Sequence, residues 1–127
     1  MEKEVLNSAA DPMGAAIYDY YVNGNADTLI VHSSMFEDDE IPVEDLFRTL
    51  DDMPQIERIA LEQAQGRILD VGAGSGCHAL ALQDMGKEVE AIDISPRSVE
   101  VMLQRGVKHA YCINLFDENY LQKFDTI

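Results

Sequence analysis

Hydrophobic and polar residues follow two different patterns along the chain. Over residues 1–65, apolar positions recur three or four apart, which is the spacing typical of helices. Over residues 66–127, short apolar runs of strand type alternate with helical stretches, starting with Arg67–Val71. The pattern therefore predicts a helical N-terminal segment followed by an α/β domain.

Two helices and one shorter helical piece are expected in the N-terminal segment. The first helix starts at Pro12, ends near Gly24, and directs one face inward: Ala16, Ile17, Tyr20 and Tyr21. The second covers residues 54–65, ends at Gly66, and has an equivalent face: Ile56, Ile59, Ala60 and Ala64. Between them, residues 43–50 form the shorter piece.

Strands and helices alternate regularly in the second half. Strands are expected at residues 67–71, 88–93 and 110–113, with a fourth beginning at 124–127, and helices at 77–85 and 95–105. Successive strands joined by helices form parallel sheets with right-handed crossovers. The fold class is therefore α/β, with a parallel sheet that is incomplete: three strands plus the start of a fourth.

Composition narrows the class of protein. Hydrophobic residues make up 46% of the 127 residues and charged residues 26%, proportions typical of a globular protein. No apolar run reaches the roughly 18 residues of a membrane span, and the N-terminus lacks the basic-then-apolar pattern of a secretory signal. We therefore expect a cytoplasmic protein with no membrane partner.

Negative charge is concentrated in the helical segment. The net charge is −15, and residues 1–66 contain 15 acidic and 3 basic residues. Such a surface repels phosphate backbones, so nucleic acid is not favoured as a partner. The densest stretch, residues 37–52, contains eight acids and one base. We interpret it as a solvated face, with a docking surface for a cationic partner or substrate as the alternative.

The spacing of the cysteines and histidines predicts no metal site. Cys77 and Cys112 are 35 positions apart without a CxxC pair, so they are expected to be reduced thiols. His32, His78 and His109 have no second ligand three or four residues away. Both sets are expected to be structural.

The candidate chemistry lies in the segment DVGAGSG, from Asp70 to Gly76, between a predicted strand and a predicted helix. Glycine permits a sharp turn and the close approach of a ligand, and the helix N-terminus supplies free N–H groups. Asp93 follows 17 residues after Gly76, where a carboxylate can accept hydrogen bonds from both hydroxyls of a ribose. The segment therefore predicts a nucleotide-like cofactor, with a tight turn and a surface aspartate as the structural alternative.

Three classes of cofactor can be compared. A Walker loop requires Gly-Lys-Ser/Thr, and no lysine occurs between Met53 and Gly86. The dinucleotide fingerprint requires its third glycine where Cys77 stands, and Asp70 would place a negative charge near a pyrophosphate. S-adenosylmethionine (SAM) has an ammonium and a sulfonium but no phosphate, so it fits beside the Asp70 carboxylate better than a dinucleotide does.

The run ILDVGAGSG followed by VEAIDIS resembles the class I SAM-dependent methyltransferases, over about residues 66–127. The resemblance implies a Rossmann-like sheet, SAM as the cofactor and methyl transfer as the activity. It also implies the cofactor-binding residues: Asp70 facing the methionyl amino group through water, Gly72, Ala73, Gly74 and Gly76 forming the loop, Asp93 binding the ribose, and Ile94 flanking the adenine. Asn114 stands where the family usually has an aspartate near the adenine amino group, and Asp117 is the alternative.

The resemblance also sets expectations for the whole protein. Substrate-contacting positions in the family mostly follow the fourth strand, so no catalytic residue is assigned. We expect an N-terminal fragment of a longer methyltransferase that is inactive alone. A small molecule is the favoured methyl acceptor, and the open sheet edge favours a homodimer. Residues 17–21 and 33–36 resemble the helical caps that small-molecule methyltransferases place over the donor, where Tyr18 and Tyr21 would line the pocket or belong to the core.

Two other functions stay open. A NAD-type oxidoreductase domain is disfavoured by Cys77 at the third-glycine position and by Asp70. A non-catalytic fragment that binds SAM weakly, or only dimerises, is the second alternative.

Overall fold

The computed structural model describes residues 4–117, 120 and 123–127. In chain order the elements are α1 (Pro12–Asn23), β1 (Leu29–Val31), β2 (Asp39–Ile41), α2 (Gln55–Gln63), β3 (Arg67–Val71), α3 (Cys77–Asp84), β4 (Glu88–Asp93), α4 (Pro96–Arg105) and β5 (Ala110–Cys112). Short 3₁₀ helices lie at Ser8–Ala10, Val43–Phe47 and Leu50–Asp52. The piece predicted at residues 43–50 is therefore helical, but as 3₁₀ turns.

The sheet of the second half is parallel and has the order β3-β4-β5. On the other side of β3, Ile68 bridges Thr126 in parallel, and Leu69 N–H donates to Thr126 O at 2.9 Å. β3 is therefore flanked on both sides. The predicted α/β sheet of three strands plus the start of a fourth is confirmed.

Helices α3 and α4 share one hydrophobic core with this sheet. Both helices contribute residues three positions apart, as an amphipathic helix must. The core consists of Ala64, Ile68, Ala79, Leu82, Val89, Ala91, Val99, Met102, Val107 and Ala110. Among the described residues, no helix has the length and apolar character needed to span a membrane.

The N-terminal segment contains an antiparallel β1-β2 pair that the sequence pattern did not predict. Three-residue strands are too short to show an alternating pattern, and β2 contributes two exposed acids. The segment resembling a helical cap at residues 33–36 lies in the loop between these strands, where Met35 and Phe36 are 81% and 75% exposed. The expectation of a helix there is wrong.

The face of α2 that packs against the core is only partly the one predicted, because Ala64 is buried as expected but Ala60 and the two isoleucines are exposed. Ile56 is 78% exposed and Ile59 is 43% exposed, whereas Leu61 and Ala64 pack against the core. Lys87 Nζ holds the end of the helix by donating to three carbonyl oxygens: Leu61 at 2.8 Å, Glu62 at 2.6 Å and Ala64 at 2.8 Å. This clamp and an ion pair at Glu57 fix the rotation of α2, and the apolar pattern alone could not reveal either contact.

Candidate cofactor-binding site

The glycine segment forms a loop at the carboxyl end of β3. Gly72, Gly74 and Gly76 have φ of 66°, 58° and 83°, in the left-handed region that favours glycine. Gly72 N–H and Ala73 N–H donate to Ile92 O at 2.9 and 3.1 Å, which fixes the loop to the end of β4. The loop is therefore built from backbone conformations that other residues adopt only at a cost.

Gly76 and Gly72 serve different purposes in this loop. A Cβ at Gly76 would lie 2.8 Å from Met102 Cγ and 2.9 Å from Val107 Cγ2, so glycine is required there for packing against the core. A Cβ at Gly72 would meet no atom within 4 Å, so the backbone at Gly72 faces open space. This open backbone is the surface on which a ligand can approach the loop closely.

Asp93 ties the loop to the start of α4. Its Oδ2 accepts from Gly74 N–H at 2.9 Å, and its Oδ1 accepts from Ser95 N–H at 2.9 Å. Each carboxylate oxygen has a second lone pair, so both can still accept a hydrogen bond from a ligand hydroxyl. The predicted ribose acceptor is therefore held in a fixed orientation beside the glycine loop.

Asp70 lies in β3, two positions before Gly72, and one of its carboxylate oxygens is unsatisfied. Its Oδ2 is buried and has no hydrogen-bond partner among the described residues. Burial raises the pKa of the carboxyl and the charge of Asp93 raises it further, while His78 and the Ala79 N–H lower it. A buried carboxylate oxygen without a donor is costly, and a ligand ammonium or a bridging water would supply one.

A second polar group near Asp70 was missed by sequence reasoning. Arg48 Nη2 pairs with Glu57 Oε1 at 3.0 Å, and His78 Nε2 lies 3.5 Å from the same oxygen. Glu57 Oε2 is buried without a hydrogen-bond partner among the described residues. Arg48, Glu57 and His78 come from separate parts of the chain, so no local spacing could reveal that they meet. The one available signal is the helical spacing of Glu57, Leu61 and Ala64, which places Glu57 on the inward face of α2.

The N-terminal segment reaches the predicted adenine end of the site. Leu6 N–H donates to Ile94 O at 2.9 Å, and Asn114 Nδ2 donates to Glu4 O at 3.2 Å. Asn114 Oδ1 accepts from Phe116 N–H at 2.9 Å, so the carbonyl predicted to contact adenine already has a donor inside its own turn. Its contact with adenine stays a prediction, as does the alternative at Asp117.

The structure thus brings the predicted cofactor residues to one edge of the sheet. The glycine loop follows β3, Ile94 follows β4 directly, and Asn114 lies two residues beyond β5. Carboxyl ends of parallel strands are where α/β folds bind their ligands. No sequence spacing links all three positions, and the parallel register places them together.

Neither of the two tyrosines considered for the pocket is fully buried, and a role for them in lining it stays a prediction. The ring of Tyr18 is half-buried, and the Arg97 guanidinium carbon lies 5.9 Å from its centroid. Tyr21 is 38% exposed, so it is not a core residue. Ile17 of α1 lies close to the loop, because a Cβ on Gly74 would lie 3.5 Å from its Cδ1.

Both thiols are free, as predicted. Cys77 packs with Met53 and Ala81, and burial raises the pKa of its thiol. A raised pKa keeps the sulfur protonated, which suits packing and not nucleophilic chemistry. A groove of about 600 Å³ lies beside Cys77, between α3 and residues 48–51, and does not include the glycine loop.

Comparison with known proteins agrees with this geometry. A family model described as a methyltransferase domain matches residues 69–125. The chain is 38% identical over 64 residues to an uncharacterized methyltransferase of Staphylococcus carnosus (strain TM300), covering 50% of this chain and 31% of that protein.

A solved structure is similar over nearly the whole chain. It is the crystal structure of a SAM-dependent methyltransferase from Bacteroides fragilis in complex with S-adenosyl-L-homocysteine (SAH). The identity is 62% and the TM-score 0.91, over 98% of this chain and 52% of that chain. The chain therefore spans about half the length of the solved relative and about a third of the curated one. The predicted resemblance to the class I SAM-dependent methyltransferases, and the Rossmann-like fold, are confirmed.

Proposed function

We propose that this chain binds SAM at the glycine loop and provides the donor-binding part of a methyltransferase that acts on a small molecule. The observation that carries the proposal is the buried Asp70 Oδ2, which has no hydrogen-bond partner in the described part of the chain and belongs to the strand that leads into the glycine loop. SAM offers an ammonium and a sulfonium, so it can satisfy this oxygen without bringing phosphate charge next to it. The SAH-bound relative at 62% identity supports the same ligand class.

Each cofactor-binding residue has a proposed role. Asp70 faces the methionyl ammonium, directly or through water, and the loop of residues 72–76 lies against the methionine and ribose. Asp93 accepts the ribose hydroxyls while its hydrogen bonds to Gly74 and Ser95 hold it in place. Ile94 packs on the adenine, and Asn114 contacts the adenine edge.

Methyl transfer from SAM depends more on the position of the acceptor than on proton transfer. The methyl group of a sulfonium is already activated, so the rate depends on bringing the acceptor in line with it. The residues proposed here bind the donor, and none is assigned to the acceptor. The small-molecule acceptor is supported by the acidic N-terminal half, since 15 acids against 3 bases disfavour nucleic acid.

Calorimetric titration tests the proposal. We expect the chain to bind SAH and not NAD. Asp93→Ala should weaken SAH binding by about 10- to 100-fold, the effect of losing hydrogen bonds to a charged group. Asp19→Ala, which removes an exposed acid on α1, should leave the affinity unchanged.

Each contrary result has a distinct meaning. Binding of NAD without SAH would favour the oxidoreductase alternative. Binding of neither ligand by a chain that circular dichroism shows to be folded would favour the non-catalytic alternative. Unchanged SAH affinity in folded Asp93→Ala would remove the ribose assignment.

A further inference from the structure

The caps of two helices meet at one buried point between the N-terminal segment and the sheet. Asp11 caps α1, its Oδ1 accepting from Gly14 N–H at 2.9 Å. Ser95 caps α4, its Oγ accepting from Ser98 N–H at 3.1 Å. The hydroxyl of Ser95 then donates to Asp11 Oδ2. Asp11 and Ser95 are each 3% exposed, so water does not compete for these bonds.

The same serine holds the predicted ribose acceptor. Ser95 N–H donates to Asp93 Oδ1, and Asp93 Oδ2 accepts from Gly74 N–H, both at 2.9 Å. A continuous set of hydrogen bonds therefore runs from Asp11 through Ser95 and Asp93 to the glycine loop. Asp11 lies 84 positions from Ser95 along the chain.

The geometry of this junction fixes both hydrogen bonds of the Ser95 hydroxyl. Its oxygen already accepts from Ser98 N–H, so its single proton must find a separate acceptor, and Asp11 Oδ2 is that acceptor. A Cβ at Gly14 would overlap both Asp11 Oδ2 and Ser95 Oγ, so glycine is what allows α1 to approach this closely. Removing the Asp11 acceptor would leave a buried hydroxyl donor unsatisfied next to the residue that holds Asp93.

We propose that Asp11 and Ser95 are positioning residues of the donor site, an inference that rests on the proposed SAM binding. They dock α1 against the start of α4, which fixes the Asp93 carboxylate for the ribose and brings Ile17 beside Gly74. Donor affinity therefore depends on Asp11, which is linked to Asp93 through Ser95.

Asp11→Asn is the sharpest variant. Asparagine is as good a helix cap as aspartate, so α1 keeps its Gly14 bond and the fold is preserved. Its amide group, however, turns a donor toward the serine hydroxyl, which then lacks an acceptor. The matched control is Asn7→Ala, which removes the exposed cap of the 3₁₀ helix at Ser8–Ala10 without reaching Ser95.

Two readouts decide the inference at a temperature where every variant is folded. The first is SAH affinity by calorimetry, which should weaken about tenfold in Asp11→Asn, as expected for a lost charged hydrogen bond, and remain at the wild-type value in Asn7→Ala. The second is amide hydrogen exchange by NMR at Gly74 and Ser95, the two donors to Asp93. Both amides should exchange faster in Asp11→Asn and at the wild-type rate in the control.

The outcomes separate the inference from the proposed function. A lower unfolding temperature with unchanged SAH affinity and unchanged exchange at both amides would mean that Asp11 only anchors α1, and the inference would be overturned. If the wild-type chain fails to bind SAH, the proposed function fails. The exchange rates would then still decide whether Asp11 holds Asp93.

Discussion

Alanine at three glycines should separate packing from ligand approach in the loop. Gly72, Gly76 and Gly86 have similar positive φ, at 66°, 83° and 79°. Gly72 and Gly76 lie in the glycine loop, whereas Gly86 lies in the turn after α3. The same added methyl group therefore meets three different surroundings with nearly the same backbone strain.

The loss of stability can be worked out from these surroundings. An L-residue in the left-handed region costs about 1–2 kcal/mol, which applies to all three variants. Gly76→Ala adds overlap with Met102 Cγ at 2.8 Å and Val107 Cγ2 at 2.9 Å, both on buried side chains that cannot move away. Overpacking of this kind adds about 1–3 kcal/mol, so Gly76→Ala should lose about 2–5 kcal/mol of unfolding free energy.

The losses of SAH affinity should not follow the losses of stability: Gly72→Ala should lose the affinity. At Gly72 the methyl group points into the open space where the ligand is proposed to lie, so SAH affinity should fall at least about tenfold while stability falls by only the backbone cost. Gly86→Ala should show the same modest loss of stability with unchanged SAH affinity. Urea unfolding gives the stabilities, and calorimetry on the folded variants gives the affinities.

Two results would refute this reasoning. Equal SAH affinity in Gly72→Ala and Gly86→Ala would mean that the ligand does not approach the Gly72 backbone. Equal stability in Gly76→Ala and Gly86→Ala would mean that α4 does not pack against the loop as described.

Two further predictions concern buried charge. Because the pKa of Asp70 is raised in the folded state, that state binds more protons than the unfolded one, and the contribution to stability present at acidic pH is lost as pH rises through the folded-state pKa. Asp70→Asn should therefore unfold at a higher temperature than wild type at pH 7, show less fall in stability with rising pH, and bind SAH more weakly. Lys87→Met should lose about 1–3 kcal/mol in urea unfolding, because three carbonyl oxygens at the end of α2 lose their donor. Exposed Lys108→Met should change little, and equal losses in the two lysine variants would contradict the clamp.

Local patterns account for the parts of the fold that were predicted correctly. A strand followed by glycines and a helix is encoded within about ten residues, since the turn requires positive φ at each glycine and the helix needs a start. The position of Asp93 beside the glycine loop was also predictable, because Asp93 ends the next strand and parallel strands place their ends together, while its contact with a ribose stays a prediction. The strands β3 to β5 and the helices between them could therefore be assigned from sequence without any distant contact.

The features that were missed depend on distant contacts. The rotation of α2 is set by Lys87 and Arg48, which lie outside the helix, so the more apolar stripe at Ile56 and Ile59 was the wrong choice. The β1-β2 pair consists of strands too short to show a period.

The sequence by itself determined the α/β architecture, the glycine loop and the two acids beside it, because these follow from short-range backbone geometry. Only the tertiary structure decided that Asp70 Oδ2 is buried with no hydrogen-bond partner among residues 4–117, 120 and 123–127, and that Gly76 is packed where Gly72 is open. Only the tertiary structure also shows that Ser95 donates a hydrogen bond to Asp11, 84 positions away in the chain. Burial and long-range hydrogen bonds depend on how separate elements pack, and no periodicity within one element records that packing.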